Sequence, residues 1–166
     1  MHLQRTPNSC GPDAIAAVVG LSPAQVDAAW VPPIRDIARF RDSGDSPIHH
    51  KAALRNLGQR RRIVTLAQIL AREVQPGRVV VLMHQPGNPF LAQHWAVYHG
   101  HMEAADGPKI RMAMGDGRCV AFSVAAFTRC YTGGAPACAY EVGVGEVPEL
   151  GIAERIWLGL SRYLRW

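Results

Sequence analysis

The sequence predicts an α+β protein in which an N-terminal helical lobe precedes a lobe of mostly antiparallel strands. Two Ser-Pro pairs, Ser22-Pro23 and Ser46-Pro47, each place an N-cap residue before a proline, as at helix starts. From residue 62 onward, short apolar runs are separated by turns rich in Gly and Asp, which is typical of strands. Helices followed by strands favour an α+β arrangement.

The helical lobe is bounded by clear stop signals. Gly20 and Gly58 follow apolar stretches and suit the end of a helix, and Val31-Pro32-Pro33 breaks the chain between helices. We expect helices over about residues 10–19, 22–30 and 46–57, with a further helical turn within 34–41.

The strand lobe is centred on the run Val79-Val80-Val81-Leu82-Met83. A continuous β-branched apolar run of this length predicts a strand that is buried on both faces. We expect the other strands at about residues 62–64, 93–102, 109–115, 118–122 and 137–143, with short helices at about 66–73 and 123–130.

The chain is predicted to form one domain over residues 1–142, a linker over 143–151 and a C-terminal amphipathic helix over 152–166. We expect the apolar stripe of this helix to dock back on the domain. The alternative is that it contacts a protein partner or a membrane surface. Its apolar residues are Ile152, Ile156, Trp157, Leu160, Tyr163 and Leu164.

Charge and hydropathy exclude some classes of function. The net charge is +5, but the basic run Arg60-Arg61-Arg62 has no interleaved aromatic residue, so we interpret it as a solvated edge. No apolar run approaches the roughly 20 residues of a membrane span, and the N-terminus lacks a signal-peptide pattern. We therefore expect a cytoplasmic protein without a transmembrane span that binds no nucleic acid; association with a virion, or delivery by another route, is the alternative.

The cysteines and one histidine pair are candidate metal ligands. Cys10, Cys119, Cys130 and Cys138 include no Cys-x-x-Cys pair, which argues against a zinc site. The last two either form a disulfide in an oxidising compartment or remain thiols, which is the simpler interpretation. Because adjacent helix positions point about 100° apart, we interpret His49-His50 as surface histidines rather than as a metal pair.

Cys10 is the candidate nucleophile. Asn8 and Ser9 are N-cap residue types, and Pro12 suits a first helical turn. The thiol therefore falls at a helix N-terminus, where the macrodipole favours a thiolate. Gln4, six residues upstream, can direct its amide to the same point, as an oxyanion hole requires. The alternative is a buried structural cysteine and a solvent-facing glutamine.

A cysteine nucleophile needs a general base and often a third group that orients the base. His94 is the candidate base because it opens a strand after a loop, whereas His99 and His101 fall on the opposite face. Asp116 fits the orienting position near the end of the adjacent strand. Asp106 is the competitor, but its Asp-Gly-Pro context explains it as a turn residue.

These residues resemble the pattern of the papain-like cysteine peptidases that process bacteriocin precursors, the double-glycine leader peptidases. The segment Gln4 to Cys10-Gly11 is similar to that family's Gln, five residues and Cys-Gly, followed by small apolar residues. The run His94-Trp95-Ala96-Val97 is similar to its His-aromatic-Val-Val strand. Asp116, followed by a helix with Phe127, is similar to its Asp. The resemblance covers about residues 1–142.

The resemblance implies a papain-like fold and a mechanism in which Cys10 attacks a carbonyl as the thiolate. His94 would take and return the proton, and Asp116 would fix the histidine tautomer. Gln4 and the Cys10 backbone N–H would stabilise the oxyanion. The resemblance implies no metal and no organic cofactor.

The chain departs from the family pattern in two places. Asp13 stands where a small apolar residue is usual, and it brings a carboxylate within one turn of the thiol, which would raise the pKa of the thiol. The separation between the candidate histidine and aspartate is also long, which implies an extended hairpin at 103–109.

The leading hypothesis is a cysteine peptidase or amidase that hydrolyses a peptide-like bond in a peptide or protein substrate. The alternative is a non-catalytic or assembly role, with a papain-like domain as a component of a larger particle such as a phage or secretion apparatus. The reactivity of Cys10 toward an electrophile distinguishes the two. A redox or metal-binding protein is disfavoured because no Cys-x-x-Cys is present.

Overall fold

The computed structural model describes residues 4–41, 45–84, 94–115, 117–132 and 138–161, without the side chain of Thr132. Within these residues the helices are α1 (Cys10–Val19), α2 (Pro23–Ala29), a short 3-10 helix (Ile37–Arg39), α3 (Pro47–Asn56), α4 (Leu66–Leu70), α5 (Val124–Thr132) and α6 (Ile152–Ser161). The strands are β1 (Arg61–Ile63), β2 (Val79–Met83), β3 (His94–Ala104), β4 (Gly107–Ala113), β5 (Cys119–Ser123) and β6 (Ala139–Val142).

The strands form one sheet in the order β1-β6-β2-β3-β4-β5, and every neighbouring pair is antiparallel. The predicted α+β class, with a helical lobe before an antiparallel sheet lobe, is confirmed. Strand β2 lies between β6 and β3, and all five of its residues are buried, as its β-branched run indicates.

Helices cover both faces of this sheet. On one face, α1 packs against β2 and β3, and the core there includes Cys10, Ile15, Trp30, Leu82, Trp95 and Tyr140. On the other face, α5 packs against β2 and β4, and the core there includes Ile69, Val81, Tyr98, Met112 and Phe127. The two layers fix the N-terminus of α1 against the strand that begins at His94.

Local sequence explains most helix ends. Gly20 adopts φ 71° at the end of α1, in the left-handed region that glycine enters without strain. The Ser22 hydroxyl accepts from the Gln25 N–H, and the Gln25 side-chain oxygen accepts from the Ser22 N–H. These two bonds form the capping box of α2. Helix α4 ends at Leu70, earlier than expected, because the backbone turns left-handed at Arg72 (φ 62°).

Helix α6 docks on α3 through a small third core, in which Leu158 packs with Ala52 and Leu150. Lys51 Nζ lies 2.6 Å from the Glu154 carboxylate and adds an ion pair between the two helices. Apolar side chains on the rest of α6 are exposed: Ile152 (79%), Ile156 (58%) and Leu160 (56%). In the described part of the chain, no helix is long and apolar enough to cross a bilayer.

Candidate active site

Cys10 is the first residue of α1, and it is 6% exposed. Ser9 stands at the N-cap, but its hydroxyl does not cap the helix. It bonds instead to the Thr6 carbonyl at 3.0 Å and to the Asp13 carboxylate at 2.7 Å. The N–H of Gly11 is satisfied from outside the helix, by Asp45 Oδ2 at 2.9 Å. The sequence therefore located the start of α1 but not the group that caps it.

Gln4 and His94 meet at Gly115. The Gln4 backbone N–H donates to the Gly115 carbonyl, and the Gly115 N–H donates to His94 Nε2 at 3.2 Å. The Gln4 side-chain amide donates to the Pro7 carbonyl at 2.5 Å. Two of the four predicted site residues are thus brought together, at the residue that precedes Asp116.

Asp116 itself lies outside the described residues. Its competitor Asp106 is described, and its carboxylate pairs with Lys109 Nζ at 2.5 Å, an ion pair that lowers the pKa of Asp106. Asp106 lies in the turn between β3 and β4, whereas His94 begins β3. The 11 residues of β3 separate the two by roughly 30 Å, so Asp106 cannot orient His94.

Asp13 is neutralised by an arginine. Arg5 Nε lies 2.6 Å from Asp13 Oδ1, and the Arg5 N–H donates to Asp13 Oδ2 at 2.8 Å. The same guanidinium reaches Asp27 on α2 at 2.6 Å, and these bonds raise the pKa of Arg5 above its ordinary value, despite some loss of solvation. The Arg5 bonds also anchor the residue after Gln4 to α1. Asp13 therefore positions the segment that carries Gln4, and its charge is offset.

Asp45 carries a carboxylate that reaches the candidate nucleophile. Its Oδ2 accepts from the Cys10 thiol at 3.5 Å as well as from the Gly11 N–H. Its side chain is 4% exposed, and its Oδ1 lies 2.6 Å from His50 Nε2. Sequence reasoning missed this residue, which precedes α3 and is 35 positions from Cys10.

The interpretation of His49-His50 as surface histidines is wrong. They are 1% and 0% exposed. His50 stacks on Trp95, with ring centroids 4.0 Å apart, and its Nδ1 lies 2.5 Å from Tyr140 Oη. Burial raises the pKa of Tyr140 well above its ordinary value, so its hydroxyl keeps the proton. The buried row Tyr140–His50–Asp45 thus ends on the Cys10 thiol.

His49 serves the contact between α3 and α6. Its Nδ1 lies 2.8 Å from the Ser46 hydroxyl, and its ring meets Trp157 edge-on with centroids 5.1 Å apart. Burial, with a smaller contribution from the neighbouring His50, lowers the pKa of His49 to about 4. His49 therefore packs as a neutral ring.

The prediction that His101 lies on the strand face opposite His94 is also wrong. The register between β3 and β4 shifts between Tyr98 and Gly100, so that His99 is an extra residue in β3. This bulge returns His101 to the face of Tyr98, whose hydroxyl lies 2.8 Å from His101 Nδ1. His99 is exposed.

The structure holds none of the four cysteines in a disulfide; all four belong to the described residues. Burial raises the pKa of both Cys130 and Cys138, whereas Cys119 is exposed. Among the described residues, no group of three or more His, Cys, Asp or Glu side chains is placed to hold a metal ion.

The arrangement can support acyl transfer if Cys10 and His94 act on one carbonyl. Cys10 shares a core cluster with Trp95, the residue after His94, and with Ala113 at the end of β4. His94 itself pairs with Met83, and strand alternation assigns it to the face of Ala96 and Tyr98. The buried histidine had a detectable signal: His50, Ala53, Leu54 and Leu57 fall at i, i+3, i+4 and i+7, the spacing of a buried helix face.

No protein-family model and no curated protein matches this chain. Among solved structures it is similar to the peptidase domain of Streptococcus ComA, a bi-functional ABC transporter involved in a quorum sensing pathway. The identity is 15%, the TM-score is 0.60, and the match covers 89% of this chain and 96% of that chain. At this identity the likeness defines the fold, which is that of a papain-like cysteine peptidase domain. The resemblance drawn from the sequence is confirmed at that level.

Proposed function

We propose that this chain is a cysteine peptidase or amidase that hydrolyses a peptide-like bond, with Cys10 as nucleophile. The observation that supports this most is the link through Gly115, which ties Gln4 to His94 within a papain-like fold. Each of these two residues has an ordinary explanation alone. Their meeting at Gly115, the residue before Asp116, supports a Cys-His-Asp site that includes Gln4.

In this mechanism the Cys10 thiol gives its proton to His94 as sulfur bonds to the carbonyl carbon, and the carbonyl electrons move to oxygen. The Cys10 N–H and the Gln4 amide bind that oxyanion. The tetrahedral intermediate collapses to a thioester, and the amine leaves with the proton from His94. Water, activated by the same imidazole, then attacks the thioester and regenerates the thiol.

The proposed mechanism requires one particular tautomer of His94. Because Nε2 of His94 faces Gly115, we assign Nδ1 to the thiol. Nδ1 must be unprotonated to act as a base, so Nε2–H must donate to the Asp116 carboxylate. The Gly115 N–H bond to Nε2, at 3.2 Å, belongs to the other neutral tautomer. The reaction therefore exchanges this bond for one to Asp116.

A peptidyl epoxide tests the proposal, because ring opening needs both a nucleophilic thiol and a proton donor. We expect site-specific labelling of Cys10, slowed at least 100-fold by His94→Ala. His99→Ala is the matched control, since His99 is an exposed histidine on the same strand, and it should label at the normal rate. Hydrolysis of a peptide mixture that includes Gly-Gly bonds, followed by mass spectrometry, then identifies the substrate. Labelling that is indifferent to His94 sinks the proposal.

The exposed face of α6 favours a second candidate, an assembly role through a protein partner. Ile152, Ile156 and Leu160 lie one turn apart in sequence, and all three are more than half exposed. Analytical sedimentation tests this role: the size of the complexes formed by the unaltered protein is compared with the size of those formed by Ile156→Asp. Loss of an association while Cys10 labelling persists would assign the two activities to separate surfaces.

A further inference from the structure

Asp45 holds a carboxylate against the candidate nucleophile. Its Oδ2 accepts from the Cys10 thiol at 3.5 Å and from the Gly11 N–H at 2.9 Å. We propose that Asp45 keeps Cys10 as a protonated thiol in the resting protein, and that the proton leaves only as the carbonyl is attacked. The identity of the final proton acceptor, His94, rests on the proposed function; the effect of Asp45 on the thiol does not.

The contact between Asp45 and the sulfur is compatible with one protonation state of Cys10 when the carboxylate is ionised. A carboxylate accepts and does not donate, so only a thiol that keeps its proton can bond to Asp45 Oδ2. A thiolate at the same place would face a like charge at 3.5 Å. A like charge within about 4–6 Å shifts a titration by about one unit or more toward the neutral form, a factor of about ten in the thiolate fraction. Asp45 thus opposes the helix macrodipole, which favours the thiolate.

His50 and Tyr140 fix the carboxylate in place. Asp45 Oδ1 lies 2.6 Å from His50 Nε2, and His50 Nδ1 lies 2.5 Å from Tyr140 Oη. His50 Nε2 must carry a proton in order to donate to a carboxylate. With the Gly11 N–H and the thiol, Asp45 therefore accepts from three donors, which matches an ionised carboxylate that is almost fully buried.

Other charged groups around Cys10 do not take the place of the Asp45 carboxylate. On α1, Asp13 is paired with Arg5 at 2.6 Å. From β6, Tyr140 stays neutral, because burial raises its pKa well above the ordinary value, and the Arg61 guanidinium lies over its ring, 5.6 Å from the centroid. From β3, His94 is the proposed base. Asp45 is therefore an anion in direct contact with the sulfur.

Gly11 is required for this contact. A Cβ built at Gly11 would overlap both Asp45 Oδ1 and His50 Nε2. Alanine at this position would displace the carboxylate without removing it from the chain. The Cys-Gly sequence at the start of α1 thus has a steric purpose in this protein, which is to admit the Asp45–His50 pair.

The test is the pH dependence of Cys10 alkylation by iodoacetamide, resolved by residue with mass spectrometry. We expect Asp45→Asn to lower the midpoint by about one pH unit and to raise the rate near neutral pH about tenfold. Asparagine still accepts the Gly11 N–H. Asp36→Asn is the control, because that carboxylate is 55% exposed, and it should leave the midpoint unchanged. A midpoint that stays the same or rises in Asp45→Asn overturns the proposal.

Two further readouts keep the result interpretable. Cys130 and Cys138 have thiols whose pKa is raised by burial, so faster alkylation of either would report a loosened fold. If Asp45→Asn does not fold, Gly11→Ala replaces it as the test and must lower the midpoint of Cys10 alkylation. An unchanged midpoint in Gly11→Ala would also overturn the proposal. A shift with Asp45→Asn but epoxide labelling indifferent to His94 would remove the proposed function and leave this inference standing. The reverse pattern would remove only the inference.

Discussion

Gln4 and His94 hydrogen-bond to opposite sides of the same residue, Gly115, one through its carbonyl and the other through its N–H. The two residues are 90 positions apart in sequence, yet a single small residue fixes their separation. A Cβ built on Gly115 would lie 2.8 Å from Gln4 Cβ and still closer to Gln4 Oε1. Gln4 and His94 are thus positioned together or displaced together.

We predict that Gly115→Ala slows epoxide labelling of Cys10 by about 10- to 100-fold, because a misplacement of about 1 Å is enough for a loss of that size. Because Gln4 Cβ is bonded directly to the backbone, the added methyl displaces the whole of Gln4, and the melting temperature should fall as well. Gly159→Ala on α6, where nothing lies within 4 Å of the new methyl, is the control. Normal labelling of Gly115→Ala would show that the position of Gln4 does not matter.

We predict that Arg5→Ala destabilises the fold by about 2–3 kcal/mol. The substitution leaves the Asp13 carboxylate, 3% exposed, without its cation. This cost is below that of a fully buried pair, because 27% of the Arg5 side chain is exposed. Urea denaturation gives the free energy of unfolding. Arg39→Ala, which removes an exposed pair with Asp36, should change it by less than about 0.5 kcal/mol.

A double variant separates charge from packing in that experiment. Adding Asp13→Asn to Arg5→Ala removes the unpaired carboxylate, so part of the lost stability should return. If the double variant is less stable than Arg5→Ala alone, the arginine acts through its packing, and the interpretation of Asp13 as a charge partner fails.

We predict that stability falls as the pH drops from about 6.5 to about 4. His49 has a pKa near 4 in the folded protein, below its unfolded value of about 6.5. Its contribution is therefore complete above about pH 6.5, declines between the two values and is lost below the folded pKa, for a total of about 3 kcal/mol. His49→Gln should flatten this part of the profile, and glutamine preserves the capping box with Ser46. Equal slopes in both proteins would assign the acid sensitivity to other groups.

Local signals were sufficient to predict the framework. Helix α1 and strand β2 have the bounds expected from Gly20 and from the apolar run at Val79, because a glycine stop and a continuous β-branched run act within the segment itself. The antiparallel sheet followed from short strands and short turns. The candidate Cys, His and Gln could be selected because each stands at the boundary of such an element.

Long-range contacts could not be predicted in this way. Asp45 lies in a loop, and the packing of α3 beside α1 brings it to Cys10. The bulge at His99 depends on the pairing of β3 with β4, so simple strand alternation failed for His101. The burial of His49 and His50 has another cause: α3 is enclosed by α1, α2 and α6, and the spacing that separates two adjacent histidines rules out a shared metal but not burial.

Helix α3 touches two distant parts of the molecule. One of its faces holds Asp45 through His50, and the neighbouring face carries His49 and Lys51, which meet Trp157 and Glu154 of α6. The side chains that hold α6 on α3 are therefore the immediate sequence neighbours of the histidine that holds the carboxylate beside the sulfur.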